Sequence, residues 1–175
     1  MDSRDAMKML DHEPGKFSFG VYRNVLVSSW MSQATGPAVE RLVLVAQRVA
    51  SECPEGFSAV HLVPDGLPMP DAQARATFRQ LLNDFSQQLA CVAVVVGGDG
   101  FWASALRAVV TSIWQGTNHP FEKRIFGNAA AVVDWLPSRH EKRTGVALDT
   151  MTLRGLLAVA RTIPSSRPPP ERRAF

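Results

Sequence analysis

Apolar and polar positions along the chain fall into short blocks of two periods. The sharpest block is Cys91 to Gln115, CVAVVVGGDGFWASALRAVVTSIWQ. An unbroken apolar run stops at Gly97-Gly98-Asp99-Gly100 and passes into helical spacing, so the pattern predicts a buried central strand, a tight turn and a packed helix. In that helix Trp102, Ala105, Leu106, Val109, Val110 and Ile113 share the inner face.

Upstream, Phe17, Phe19 and Val21 alternate with Ser18, Gly20 and Tyr22, and alternation resumes over Val25 to Met31 after a turn at Arg23-Asn24. This predicts an opening hairpin. Gly36-Pro37 marks a helix start, and Val39, Leu42, Val43, Ala46, Val49 and Ala50 form its apolar stripe. Phe57 to Val63 reads as a second buried strand, with His61 packed or bonded locally. Three prolines keep the loop Pro64 to Pro70 out of helix and central strand. Asp71 is a good N-cap for an amphipathic helix carrying Ala74, Phe78, Leu81, Leu82, Phe85 and Leu89. Beyond the central unit come a short strand, Lys123 to Phe126, and a helix, Ala129 to Leu136, that Gly127-Asn128 caps and Pro137 stops.

Alternating strands and helices require crossover connections, so the expected fold is α/β, a mixed and mostly parallel sheet of about five strands with covering helices. One domain, residues 16 to 137, is expected. Residues 1 to 15 lack apolar periodicity and end in Pro14-Gly15, which suggests a flexible arm. Residues 138 to 163 read as a polar linker and an additional helix whose apolar face must cover the body, a second copy or a partner, the first two being favoured. Residues 164 to 175, with four prolines and several arginines, read as a disordered tail.

Composition narrows the function. The chain has 175 residues and 46% hydrophobic content, enough for one compact core, and no apolar run approaches the length of a membrane span. With no secretory h-region at the start and two cysteines, Cys53 and Cys91, expected reduced, a cytoplasmic location is the expectation. The net charge of +3 is unevenly spread: residues 1 to 136 hold 11 Lys and Arg against 13 Asp and Glu, residues 137 to 175 hold 8 against 3. A basic tail beside a slightly acidic body argues against a nucleic-acid reader and leaves weak contact with anionic surfaces as a role for the tail.

Catalytic chemistry finds little support. His12, His61, His119 and His140 are scattered with no metal-ligand spacing, no serine sits in a nucleophile elbow, and Cys91 reads as a packed thiol. No metal, cofactor or catalytic set is expected. Gly98-x-Gly100-x-x-Ala103 matches a dinucleotide fingerprint in letters, but it comes late in the chain, and Asp99 would oppose an anion. Glycines for a tight turn and Asp99 as helix cap are the favoured reading.

The order of elements over about residues 17 to 136, with the stretches GGDGFWASALRAVV and RIFGNAAAVVDWL, resembles the STAS domain of bacterial anti-sigma-factor antagonists and the small single-domain proteins related to it and to the lipid-binding SEC14 fold. The resemblance implies a non-enzymatic regulatory or protein-interaction module with a protein partner, and a homodimer as one form of it. In the antagonists a serine after an aspartate at a helix start is phosphorylated; here Pro70-Asp71-Ala72 supplies no hydroxyl, so that switch is not expected. The candidate surface comprises Leu67, Met69, Asp71, Gly98, Asp99, Gly100, Phe101, Trp102 and Arg107. Its competitor is binding of an apolar, lipid or nucleotide ligand at the Gly97 to Gly100 turn, in a pocket lined by Leu67, Met69, Phe101 and Trp102 at the carboxyl ends of the strands.

Overall fold

The computed structural model describes residues 6 to 115 and 119 to 161. Its elements run β1 Lys8–Glu13, β2 Phe17–Tyr22, β3 Val25–Trp30, α1 Gly36–Glu52, β4 Phe57–Val63, α2 Ala72–Asp84, β5 Leu89–Val96, α3 Phe101–Trp114, β6 Glu122–Phe126, α4 Ala129–Thr144 and α5 Thr150–Arg161. The six strands lie side by side in chain order. β1, β2 and β3 pair antiparallel, and β3 to β6 pair parallel. The expected mixed α/β sheet is present, with one strand more than anticipated.

Strand order decides where the helices go. From β3 to β6 the chain always steps to the same side, and crossovers of fixed hand then fall on one face of the sheet. The buried residues of α1, α2 and α3 accordingly form one core with Phe17, Phe19, Leu26, Trp30, Phe57, Val92 and Val94. On the opposite face Tyr22, Val25, Val27, Val60, Leu62, Cys91, Ala93 and Val95 meet Val132, Leu136, Leu153 and Leu157 of α4 and α5. Being covered on both sides, β5 (LACVAVVV) is buried at all eight positions, which is why it reads as a continuous apolar run. The C-terminal helix covers the body.

Two expectations are corrected. Residues 8 to 13 are not part of a mobile arm: they form an edge strand paired to β2. Its register slips between Met9 and Asp11, a bulge that breaks the alternation on which a sequence reading depends. Arg41 of α1 holds it in place, with Nε 2.8 Å from Asp11 Oδ2 and Nη1 2.7 Å from Glu13 Oε2. The hydrogen bond from Arg41 pulls the Asp11 carboxyl below its usual range.

Nor does Pro137 stop α4. The helix continues to Thr144, so residues 138 to 144 are not linker. Pro137 cannot donate to the carbonyl four residues back, a defect in a helix interior. Tertiary contacts outweigh it: Leu136 and His140 beside it are fully buried. The helix ends at Gly145, in the left-handed region at φ 72°, whose N–H bonds Glu141 O at 2.8 Å. Residues 164 to 175, expected to be disordered, lie outside the described residues.

Asp71 ties two helices together. Its Oδ1 accepts from Ala74 N at 2.6 Å, capping α2, and its Oδ2 accepts from Gly36 N at 3.2 Å at the start of α1. The helix starts are so close that a Cβ on Gly36 would fall inside the Gln73 side chain. Replacing Asp71 by Ala removes a cap and the bridge between α1 and α2; the expected cost is about 1–2 kcal/mol, read as a lower urea midpoint with an unchanged slope.

Candidate functional site

The residues singled out from sequence surround the carboxyl ends of β3, β4 and β5, but the structure divides them. Leu67 lines an apolar cavity beneath α2 and α3. Met69 packs against the first core, and its carbonyl accepts from Gln33 Nε2 at 2.8 Å. Both carboxyl oxygens of Asp71 are engaged in capping, so it does not stand as a free surface charge.

Gly98, Asp99 and Gly100 are exposed at the turn, and Phe101 is 91% exposed. Asp99 does not cap α3: the cap position is Gly100, at φ 95° and ψ −163°, with no side-chain hydrogen bond. Trp102 packs against the first core. Arg107, one and a half turns along, donates from Nη2 to Gly98 O at 3.3 Å, and Gly97 N donates to Val63 O at 2.9 Å. With Ser104 N donating to Gly100 O at 3.1 Å on the helix side, the turn is fixed at both ends. Of the four side chains expected to line one pocket, Leu67 alone reaches the apolar cavity.

A hollow of about 160 Å³ does lie at the glycine turn, bounded by Ser29, Pro64, Asp65, Gly97, Gly98 and Ala160. Its chemistry does not suit a phosphate. The Asp65 carboxyl packs so closely on Gly98 that a Cβ there, at φ 79°, would overlap it. An acid already stands where backbone N–H groups would have to meet an anion. Glu122, which follows the glycine turn by about 20 residues, pairs in register with Cys91 at the opening end of β5 and bonds Arg139 at 3.2 Å. That puts it about 20 Å from the turn, at six strand residues' rise.

His61, expected to pack or bond locally, and His140 both make polar contacts with residues far along the chain. His140 of α4 is completely buried, with Nδ1 2.7 Å from Ser58 Oγ and Nε2 2.7 Å from Asn24 Oδ1. Asn24 Nδ2 donates to Gly56 O at 2.8 Å, which orients its amide and makes Oδ1 the acceptor for the His140 Nε2 proton. Nδ1 must then accept from the Ser58 hydroxyl, whose oxygen is left to receive the Cys91 thiol at 3.3 Å. The chain is complete, neutral and directional. Serine, histidine and asparagine in line resemble a nucleophilic set in type, yet a fully buried histidine gives a substrate no route to them. Burial pushes the Cys91 thiol up to about 11, the wrong direction for a nucleophile.

His61 of β4 has Nδ1 2.6 Å from Ser28 Oγ on β3 and meets the edge of Phe78 at a centroid distance of 5.9 Å. Burial lowers both histidines to about 4. Partners 33 and 116 residues away in sequence explain why no local pattern announced either one. Among the described residues no group of three His, Cys, Asp or Glu side chains could hold a metal ion, and no helix is long and apolar enough to cross a membrane.

The depressed histidines fix a pH response. Above the unfolded value of about 6.5 both are neutral in either state and cost nothing. As pH falls, the unfolded chain takes up protons that the native one refuses, so stability is lost between about 6.5 and about 4. Unfolding free energy at pH 5 is expected to be lower than at pH 7.5 by about 2 kcal/mol for each histidine, measured by urea titration. Equal stability at the two pH values would contradict neutral burial.

No protein-family model matches the sequence, and no curated protein is similar to it. Among solved structures, the chain is similar to an uncharacterised protein of the DUF3478 family with a SpoIIAA-like fold from Shewanella loihica PV-4, at 15% identity and a TM-score of 0.51, over 73% of this chain and 98% of the other. The likeness covers nearly all of that protein. Mixed sheet, helices on both faces and this structural match together give the chain a STAS-like, SpoIIAA-like α/β fold.

Proposed function

We propose that the chain is a non-enzymatic regulatory module of the STAS-like type that binds a protein partner through the glycine turn and the start of α3. One observation carries this reading: Phe101, a large aromatic side chain, is 91% exposed on a turn held by hydrogen bonds at both ends. Aromatic anchors on pre-fixed backbone dominate protein interfaces, because they bury much apolar area while little conformational freedom is lost. Asp99 and the Asp65 carboxyl beside Gly98, with Arg107 at the same turn, give the surface a charged border suited to a partner with a mixed polar rim.

The serine switch of the antagonists has no counterpart at Asp71-Ala72, and Asp71 is already spent on joining two helices. Binding in this reading is set by the partner's abundance or by its own modification. A nucleotide at the turn is disfavoured by the Asp65 carboxyl.

Photo-crosslinking tests the proposal. With benzoylphenylalanine in place of Phe101, irradiation in cells of the source organism is expected to give a discrete protein adduct, absent when the probe replaces exposed Ser112 on the same helix. An adduct of twice the chain mass would identify a second copy as the partner. The same diffuse products from both positions would overturn the reading.

A further inference from the structure

Among the polar groups lining the apolar cavity beneath α2 and α3, His61 has unused bonding capacity. The cavity volume is about 70 Å³, and the walls include Trp30, Phe78, Leu106 and Trp114, with Leu67 and Pro68 of the loop after β4 at one side. His61 also lines it and is 7% exposed. One ring nitrogen of His61 is taken by Ser28 Oγ. Nε2 has no hydrogen-bond partner among the described residues, yet it is not sealed in protein, since Tyr22 Oη is the one fully enclosed side-chain polar atom there without a partner. The free nitrogen therefore meets the cavity.

We infer that this cavity is a binding site for a small neutral molecule of about three to five non-hydrogen atoms, apolar except for one hydroxyl or carbonyl that bonds His61 Nε2. Volume sets the size: an apolar cavity of about 150 Å³ accepts benzene, so one of half that capacity takes a short chain or part of a ring, the rest lying toward the loop. The walls set the polarity. A charged ligand would lose its hydration with no opposite charge in the lining, whereas one neutral polar atom finds one partner.

The Ser28 hydroxyl gives His61 its versatility. When Ser28 donates to Nδ1, Nε2 carries the proton and serves a carbonyl; when Nδ1 donates to Ser28, Nε2 accepts from an alcohol. A valine or leucine at position 61 would fill the strand without this group. The site is separate from the surface around Phe101, and the inference stands whether or not that surface binds a partner.

Butan-1-ol and butan-2-one are suitable probes, titrated into the full chain labelled with ¹⁵N. Saturable shifts of the Trp30 and Trp114 indole N–H signals and of the His61 Nε2 resonance are expected, with a dissociation constant of about 1 mM or below. His61→Leu, which keeps the apolar wall, should weaken both probes at least tenfold, while Val110→Phe, which fills the cavity, should abolish the shifts. Shifts that stay linear with probe concentration in the unaltered chain, or equal binding by His61→Leu, would overturn the inference. If His61→Leu fails to fold, retained binding by Val110→Phe overturns it alone.

Discussion

A sheet whose strands advance in one direction, joined by crossovers of fixed hand, can cover only one of its faces with the connecting helices. Everything after β6 answers that constraint. β3, β4 and β5 are apolar on both sides, and α1, α2 and α3 occupy one side only. Without α4 and α5, Tyr22, Val25, Val60, Leu62 and Ala93 would face water, at about 1.5–3 kcal/mol for each large side chain. The C-terminal helices are half of the core's enclosure. This also accounts for a helix that runs through a proline: the side chains around Pro137 are needed against the sheet more than one backbone hydrogen bond is needed within α4.

Much of this was legible wherever local pattern and tertiary role coincide. β5 announces itself because both faces are buried, and the stripe from Ala74 to Leu82 because one face of α2 is. β1 was hidden for a physical reason, since a bulge at Met9 shifts the phase of the alternation and an edge strand is half exposed. The length of α4 was hidden because proline is a strong local signal and His140 a weak one. At the candidate site, the glycine turn and the exposure around it were readable, but the closing contacts were not. That Asp65 packs on Gly98, or that Ser28 and Ser58 each bond a histidine, depends on register between neighbouring strands and on a helix returning from far along the chain.

The two buried histidines show how similar environments give different capacities. Both lose their charge to burial, and both bond a serine on the sheet. His140 is closed on its second nitrogen by Asn24, and the amide in turn by Gly56, so the chain of donors ends inside the protein and acts as a fastener between α4 and the hairpin. His61 is closed on one side only. A single missing partner separates a fastener from a receptor for something that enters.

The open sheet has two borders, and each carries its own safeguard. β6 reads Glu122-Lys123-Arg124-Ile125-Phe126, three charges in five residues, and β1 carries Lys8, Asp11 and Glu13 together with the bulge at Met9. Unpaired N–H and C=O groups along a border invite another chain to add a strand, and charge or a local kink there prevents it. The β-rich middle of this protein can therefore be as apolar as it is, eight consecutive residues in β5, without templating fibrous growth from either side.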